Sequence, residues 1–256
     1  MSQRTALCIG IDAYPDPQTL FGCVNDSKQW SELFTALGHT VTDLHNEAAT
    51  RSAITDTLAQ HVRQLKAGDL FLLQYAGHGT QFPDDSGDED DGQDEALCPI
   101  DMMTAGFIRD DEIRTILNRI PDGARVIAFI DCCHSSSMAR AAGGPTVPKG
   151  SRARAITPTP AMVAVHQRTR KGGKASKPQT RRDIVFAACR DDQVAYETED
   201  HGDFTRLVIP LIKSRADGLT NKAMQALILD AFGANARQNP TLDCDPFDEH
   251  HSFLMP

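Results

Sequence analysis

The chain has 256 residues, 40% of them hydrophobic, which is enough for one sizeable α/β core. No run approaches the ~20 apolar residues of a membrane span, and Arg4 leads straight into the short run Ala6-Leu7-Cys8-Ile9-Gly10-Ile11, too brief for a leader core; a membrane partner is excluded and a cytoplasmic location expected. The formal charge of −9 argues against nucleic acid as a partner, and seven scattered cysteines without a CxxC pair argue against a disulfide framework and structural zinc.

Strand and helix signals alternate from the N-terminus. Leu7–Ile11 reads as a strand. Asn25–Leu37 reads as a helix, its apolar face formed by Val24, Trp30, Leu33, Phe34 and Leu37, with Gly38 placed as a C-cap. Thr40–Leu44 is a second short strand. Thr50 is suited to cap a helix through Leu65, with Ile54, Leu58, His61, Val62 and Leu65 on one side. Leu70–Tyr75 is an apolar strand ending in Ala76-Gly77-His78-Gly79. Asp110–Asn118 reads as a helix that feeds, across Pro121-Asp122-Gly123, a second apolar strand, Val126–Ile130, ending in Asp131-Cys132-Cys133-His134-Ser135.

The stretch Arg140–Arg182 breaks the alternation. It carries 11 Lys or Arg, no Asp or Glu, and many Pro and Gly residues, which predicts an exposed, flexible segment. The rest of the chain is correspondingly acidic, so the body attracts basic substrates and the segment is itself one in character. Beyond it, Ile184–Cys189 reads as a strand, Phe204–Arg215 and Thr220–Arg237 as helices, and His251–Met255 as a final edge strand. The repetition implies a single mostly parallel sheet with helices on both faces.

Polar residues at the ends of two buried strands are where open α/β sheets build sites. A histidine at one strand end and a cysteine at another supply a base and a nucleophile. The thiolate is the reactive form of cysteine, and a nearby imidazole generates it. Strand logic alone leaves Cys132 and Cys133 both eligible. No Walker-type loop or GxGxxG follows a strand, so a phosphate-binding protein is set aside.

Five boxes, in order, resemble those of metacaspases and their bacterial relatives, the orthocaspases, within the caspase-like clan of cysteine peptidases. They are Gly22-Cys23-Val24-Asn25-Asp26, Tyr75-Ala76-Gly77-His78-Gly79, Asp88–Glu95, Asp131-Cys132-Cys133-His134-Ser135 and Cys189-Arg190-Asp191-Asp192-Gln193. The caspase box Q-A-C-x-G is missing. The resemblance implies a caspase-like fold with a central sheet of about six strands. It divides the single domain into a large-subunit-like part (1–139), a linker (140–182) and a small-subunit-like part (183–256). It makes Cys133 the nucleophile and His78 the base, with the backbone N–H groups of Gly79 and Cys133 as the oxyanion hole. Cys132 falls in a variable slot and reads as a packed, inert thiol.

The resemblance further implies cleavage after Arg or Lys, with Asp26, Asp131 and Asp192 lining the pocket; carboxylates suit a guanidinium. Ala76 stands where the family usually has a serine that lines the pocket. Family calcium ligands map to Asp94, Asp110 and Asp111, but the further ligand position is Arg140, a cation. No cofactor is expected to be required, and activity is expected to survive calcium chelation. Partners are protein substrates with exposed Arg or Lys sites, and an upstream activating protease is a candidate. The basic segment predicts activation by cleavage at one of Arg152, Arg154, Arg168, Arg170, Lys171, Lys174, Arg181 or Arg182, in stress, cell-death or defence signalling. The rival readings are another Cys–His hydrolase and a non-catalytic caspase-like adaptor.

Overall fold

A computed structural model describes residues 2–83, 92–133, 150–169, 182–215, 218–234 and 236–255. In chain order the elements are β1 (Arg4–Gly10), α1 (Cys23–Ala36), β2 (Thr40–His45), α2 (Arg51–Gln64), β3 (Leu70–Ala76), β4 (Gly79–Pro83), β5 (Gln93–Leu97), α3 (Met102–Ala105), β6 (Ile108–Arg109), α4 (Asp110–Leu117) and β7 (Arg125–Asp131). They continue with β8 (Ser151–Ala153), α5 (Pro160–Thr169), β9 (Asp183–Ala187), β10 (Tyr196–Thr198), β11 (His201–Gly202), α6 (Asp203–Arg215), α7 (Asn221–Phe232) and β12 (Thr241–Asp243).

Six strands form the central sheet in the order β12-β9-β7-β3-β1-β2. All neighbours are parallel except β12, which runs antiparallel to β9. Strands β3 and β7 are almost wholly buried, as parallel strands covered on both faces must be. On one face α1, α6 and α7 bring Trp30, Phe34, Phe204, Val208 and Ile228 against Phe129 and Phe186. On the other, α2 and α4 bring Ile54, Leu58 and Leu117 against Leu7, Phe71 and Leu73. Successive side chains beyond a strand fall on opposite faces, so Cys132 joins the second core and Cys133 the first.

Thr50 caps α2 by accepting from the Ala53 N–H. The N-cap of α1 is Gly22, which has no side chain to offer. Asp12 caps that helix from outside, its carboxylate accepting from the N–H groups of Cys23 (2.8 Å) and Val24 (3.1 Å). Helix α7 ends at Phe232 rather than Arg237, because Gly233 turns the chain with φ 79°. The tail does not supply the edge strand. Phe253 plugs into the aromatic core beside Phe129 and Phe186, and β12 takes the edge.

The basic segment is only partly the loop expected. Within it, Ser151–Ala153 pair with β10, and Pro160–Thr169 form α5, anchored by the His166 ring stacked on Phe82 at 4.0 Å.

Candidate active site

The register of the sheet brings the two strand ends together. Ala76 of β3 is the partner of Asp131 of β7, so His78 and Cys133 each lie two residues beyond a matched pair. The turn carrying His78 is clamped by two tyrosines. Tyr14 accepts from the His78 N–H (3.2 Å) and donates to the Cys98 carbonyl (2.7 Å), while Tyr75 donates to the His78 carbonyl (2.8 Å). A Cβ on Gly77 would lie 2.6 Å from the Tyr75 hydroxyl oxygen, so the clamp leaves space only for glycine.

The His78 imidazole is buried, and its Nε2 meets the Gln18 carbonyl at 2.7 Å. A carbonyl only accepts, so Nε2 carries the proton and Nδ1 is left as the basic nitrogen. Nδ1 is buried without a hydrogen-bond partner. Burial pushes the His78 pKa down to about 4, the Gln18 carbonyl opposes that, and the nearby Arg154 charge adds to it. The base is therefore neutral, and able to accept a proton, throughout the physiological range. The Cys133 thiol is directed at the Gln193 carbonyl.

Arg154 fills the space between these strand ends and α1, and it is fully buried. Its carbonyl oxygen accepts from the N–H groups of both Gly79 and Cys133, each at 3.2 Å. The flanking backbone is held on both sides. Arg154 N–H donates to the Ala195 carbonyl (2.9 Å), and the Ile156 N–H donates to the Gly79 carbonyl (2.9 Å). Thr80 donates its hydroxyl proton to the Ile156 carbonyl (2.8 Å). Residues 151–156 thus cross the cleft in extended form, with the Arg154–Ala155 peptide bond at the nucleophile.

The Arg154 guanidinium enters an acidic pocket, lying 2.5 Å from Asp26, 2.8 Å from Asp131 and 3.4 Å from Glu197. Each carboxylate has further supports. Asp26 accepts from the Gly202 N–H (2.8 Å) and meets His201 Nδ1 (3.0 Å). Asp131 accepts from the Thr205 hydroxyl (3.0 Å). Glu197 accepts from the N–H groups of Phe21 (3.0 Å) and Gly22 (3.2 Å). Burial raises the Asp131 pKa to about 6, with Arg154 pulling it down and Asp26 pushing it up. His201 is raised from its ordinary value mainly by its hydrogen bond to Asp26. A Cβ on Gly202 would lie 2.5 Å from an Asp131 oxygen, so the glycine leaves room for the ion pair.

Of the three acids expected to line a pocket, the structure brings Asp26 and Asp131 together at the Arg154 guanidinium, and Asp192 does not join them. Its side chain is 74% exposed and lies 3.8 Å from Arg190. Glu197 takes the third position. The local clue was an acid closing the apolar run Val194-Ala195-Tyr196; the Gln18 carbonyl carries no side-chain signal at all. Arg154 is likewise no exposed loop residue, since its side chain is the pocket's occupant. Arg152 is at the surface of the same strand, Arg168 is exposed on α5, and Arg182 pairs with Asp122 (2.8 Å). Arg170, Lys171, Lys174, Arg181 and Arg140 lie outside the described residues.

Of the three acids matched to calcium ligands, two converge on an arginine and the third pairs with another. Asp94 and Asp111 flank the Arg109 guanidinium at 3.9 and 3.5 Å, and Asp110 pairs with Arg114 at 3.0 Å. Among the described residues the one group of three or more His, Cys, Asp or Glu side chains with ligand atoms within 4.8 Å of one another is Asp12, Cys23 and Glu197. Its oxygens are already used to cap α1 and to hold Phe21 and Gly22.

Comparison with known proteins gives the family and the fold. Residues 4–141 match the family described as "Metacaspase, peptidase C14 domain". Metacaspase-1 of Scheffersomyces stipitis is 24% identical over 99% of this chain and 73% of its own length. Metacaspase-1 of Cryptococcus neoformans is 36% identical over 53% of this chain, and that alignment spans only 32% of the relative. A Geobacter sulfurreducens protein of known crystal structure superimposes with a TM-score of 0.77 at 26% identity, over 97% of both chains. Among the described residues no helix is long and apolar enough to cross a membrane.

Proposed function

Because the chain belongs to the metacaspase family of cysteine peptidases, we propose that it is an endopeptidase that cuts after arginine, less well after lysine, and that its first substrate is its own Arg154–Ala155 bond. The observation that carries this reading is Arg154 itself. Its side chain is bound by three carboxylates, and its carbonyl oxygen is held by two N–H groups beside Cys133. Those are the two things a peptidase must grip before cutting.

Cleavage would then proceed by acyl transfer. Cys133 turns from the Gln193 carbonyl and attacks the carbonyl carbon of the arginine; His78 Nδ1 takes the thiol proton. The developing oxyanion is stabilised by the Gly79 and Cys133 N–H groups. His78 then protonates the leaving amine, the C–N bond breaks, and a thioester to Cys133 remains. Water, deprotonated by His78, hydrolyses the thioester and restores the thiol.

Before the cut the pocket is filled, so the intact chain is a zymogen-like form that excludes other substrates. Cutting at Ala155 frees the chain beyond it to leave the cleft. An upstream protease acting elsewhere in residues 140–182 could release the same strand. The downstream partners are proteins with exposed Arg or Lys sites, and the family resemblance suggests stress, cell-death or defence signalling as the setting. The test is a panel of fluorogenic peptides that differ only at the residue before the reporter. Arg should be turned over fastest, Lys more slowly and Asp not at all. Preference for Asp would overturn the reading.

A further inference from the structure

Phe21 is a 52% exposed aromatic ring beside the cleft. Its partner is a cation from the strand in the cleft: the Arg152 guanidinium stacks over it, 4.0 Å from the ring centroid. Arg152 also donates to the Thr19 carbonyl at 2.6 Å. We propose that Phe21 and Thr19 form a second cation-binding subsite, which selects a basic side chain at the third residue before the cut. The inference rests on the reading of Arg154 as the residue before the scissile bond.

The subsite is built, since its loop is tied down at several points. The Thr19 hydroxyl donates to the Tyr14 carbonyl (2.9 Å) or to the Asp16 carboxylate (2.8 Å), which sets a negative charge beside the Thr19 carbonyl. The Leu20 N–H donates to the Asp12 carbonyl (3.0 Å). The Phe21 N–H donates to Glu197, the same carboxylate that reads Arg154. The Gln18 carbonyl of this loop orients His78. One loop, residues 12–22, therefore touches the base, the Glu197 carboxylate that holds the first cation, and the second cation itself.

Strand pairing fixes which substrate residue reaches the ring. Antiparallel pairing places Ala153 opposite Tyr196, Arg152 opposite Glu197 and Ser151 opposite Thr198. A substrate lying along β10 in this register projects alternate side chains to opposite sides. Its first residue before the cut enters the acidic pocket. Its second meets the packed surface that covers Ala153. Its third emerges over Phe21. A cation over an aromatic face, with a carbonyl acceptor beside it, is favoured over a neutral or acidic side chain.

The test uses the full chain and peptides Ser-X-Ala-Arg bearing a fluorogenic reporter, with X as Arg, Lys, Ala or Glu. The expected order of kcat/KM is Arg, Lys, Ala, Glu, with Arg over Ala by roughly threefold to tenfold. In Phe21→Ala, which keeps the backbone N–H to Glu197, the Arg-to-Ala ratio should fall toward one. A flat response to X in the natural protein, or an unchanged ratio in Phe21→Ala, overturns the subsite. Companion peptides with the final Arg replaced by Ala isolate the other reading: if these are cut equally well, the acidic pocket fails whatever X does. Should no peptide be hydrolysed, the rate of the cut at Ala155 in Arg152→Ala and Arg152→Glu reads the same preference in cis. Rates equal to that of the natural chain, or no cut in any of them, overturn it.

Discussion

Arg109 and Arg154 both stand between buried carboxylates, yet only one of them has a backbone placed for chemistry. Arg109 ends β6 and lies between Asp94 and Asp111 at 3.9 and 3.5 Å, its main chain fixed in a small three-stranded sheet. Arg154 sits closer to three carboxylates, at 2.5 to 3.4 Å, and its carbonyl is held beside Cys133. The first is a resident cation. The second is, on the function proposed above, a ligand that is covalently attached. A buried acid cluster needs a cation to offset its mutual repulsion, but a cluster that must exchange its cation needs neighbours that tolerate the exchange. The N–H and hydroxyl donors from Gly202, Phe21, Gly22 and Thr205 hydrogen-bond the acids alongside the arginine, so each carboxylate keeps a partner besides Arg154.

The largest test of the contrast lies in the pocket acids. Asp131→Asn or Glu197→Gln should lower kcat/KM for Arg peptides by on the order of a hundredfold, since removing one partner of a buried charge pair costs about 2–5 kcal/mol. Asp192→Asn should stay within about twofold, as expected for an exposed ion pair. Steady-state kinetics on the three variants would reverse the assignment of Glu197 if Asp192→Asn were the more damaging.

A second test uses pH. With its pKa raised to about 6, the Asp131 carboxyl is protonated below that and cannot pair with an incoming guanidinium. Arg154 lowers this value, so the empty pocket titrates no lower. His78, at about 4, is already neutral and basic there. The acid limb of kcat/KM is therefore expected at or above about pH 6. A limb near pH 4 would mean that the base, not the pocket, sets it.

The smallest effect concerns the resident cation. Arg109→Gln should lower stability by about 1–3 kcal/mol, less than for a fully buried pair because the distances are long. Thermal melts with EGTA and with millimolar calcium would read it. The natural protein should show equal activity in both conditions. A large rise on adding calcium would show that the ion displaces Arg109 from these acids.

Much of this was legible in the sequence, and the gaps have physical causes. The nearness of the two strand ends was readable because each apolar strand closes on a polar cluster, and parallel register sets them side by side. Asp26 and Asp131 sit next to such landmarks, one early in a helix and one ending a strand. Glu197 lies in a three-residue strand of a second, small sheet, whose pairing with β8 is long-range and leaves no periodic trace. The same pairing hid the fate of Arg154. Composition marks residues 140–182 as unable to build a core of their own, and it cannot show that residues 151–156 cross the cleft. The end of α7 was misplaced because Ala234 to Arg237 continue a helical composition past the glycine that stops it.

On the proposed function, the cleft holds its own substrate at one bond. Purified chain and the Cys133→Ala variant, expressed in parallel, should be incubated and their fragments' N-termini identified by mass spectrometry. A new N-terminus at Ala155 in the natural protein, with Cys133→Ala intact, is the predicted result. Peptidase activity with the Arg154–Ala155 bond uncut, or cutting there that persists in Cys133→Ala, would contradict it.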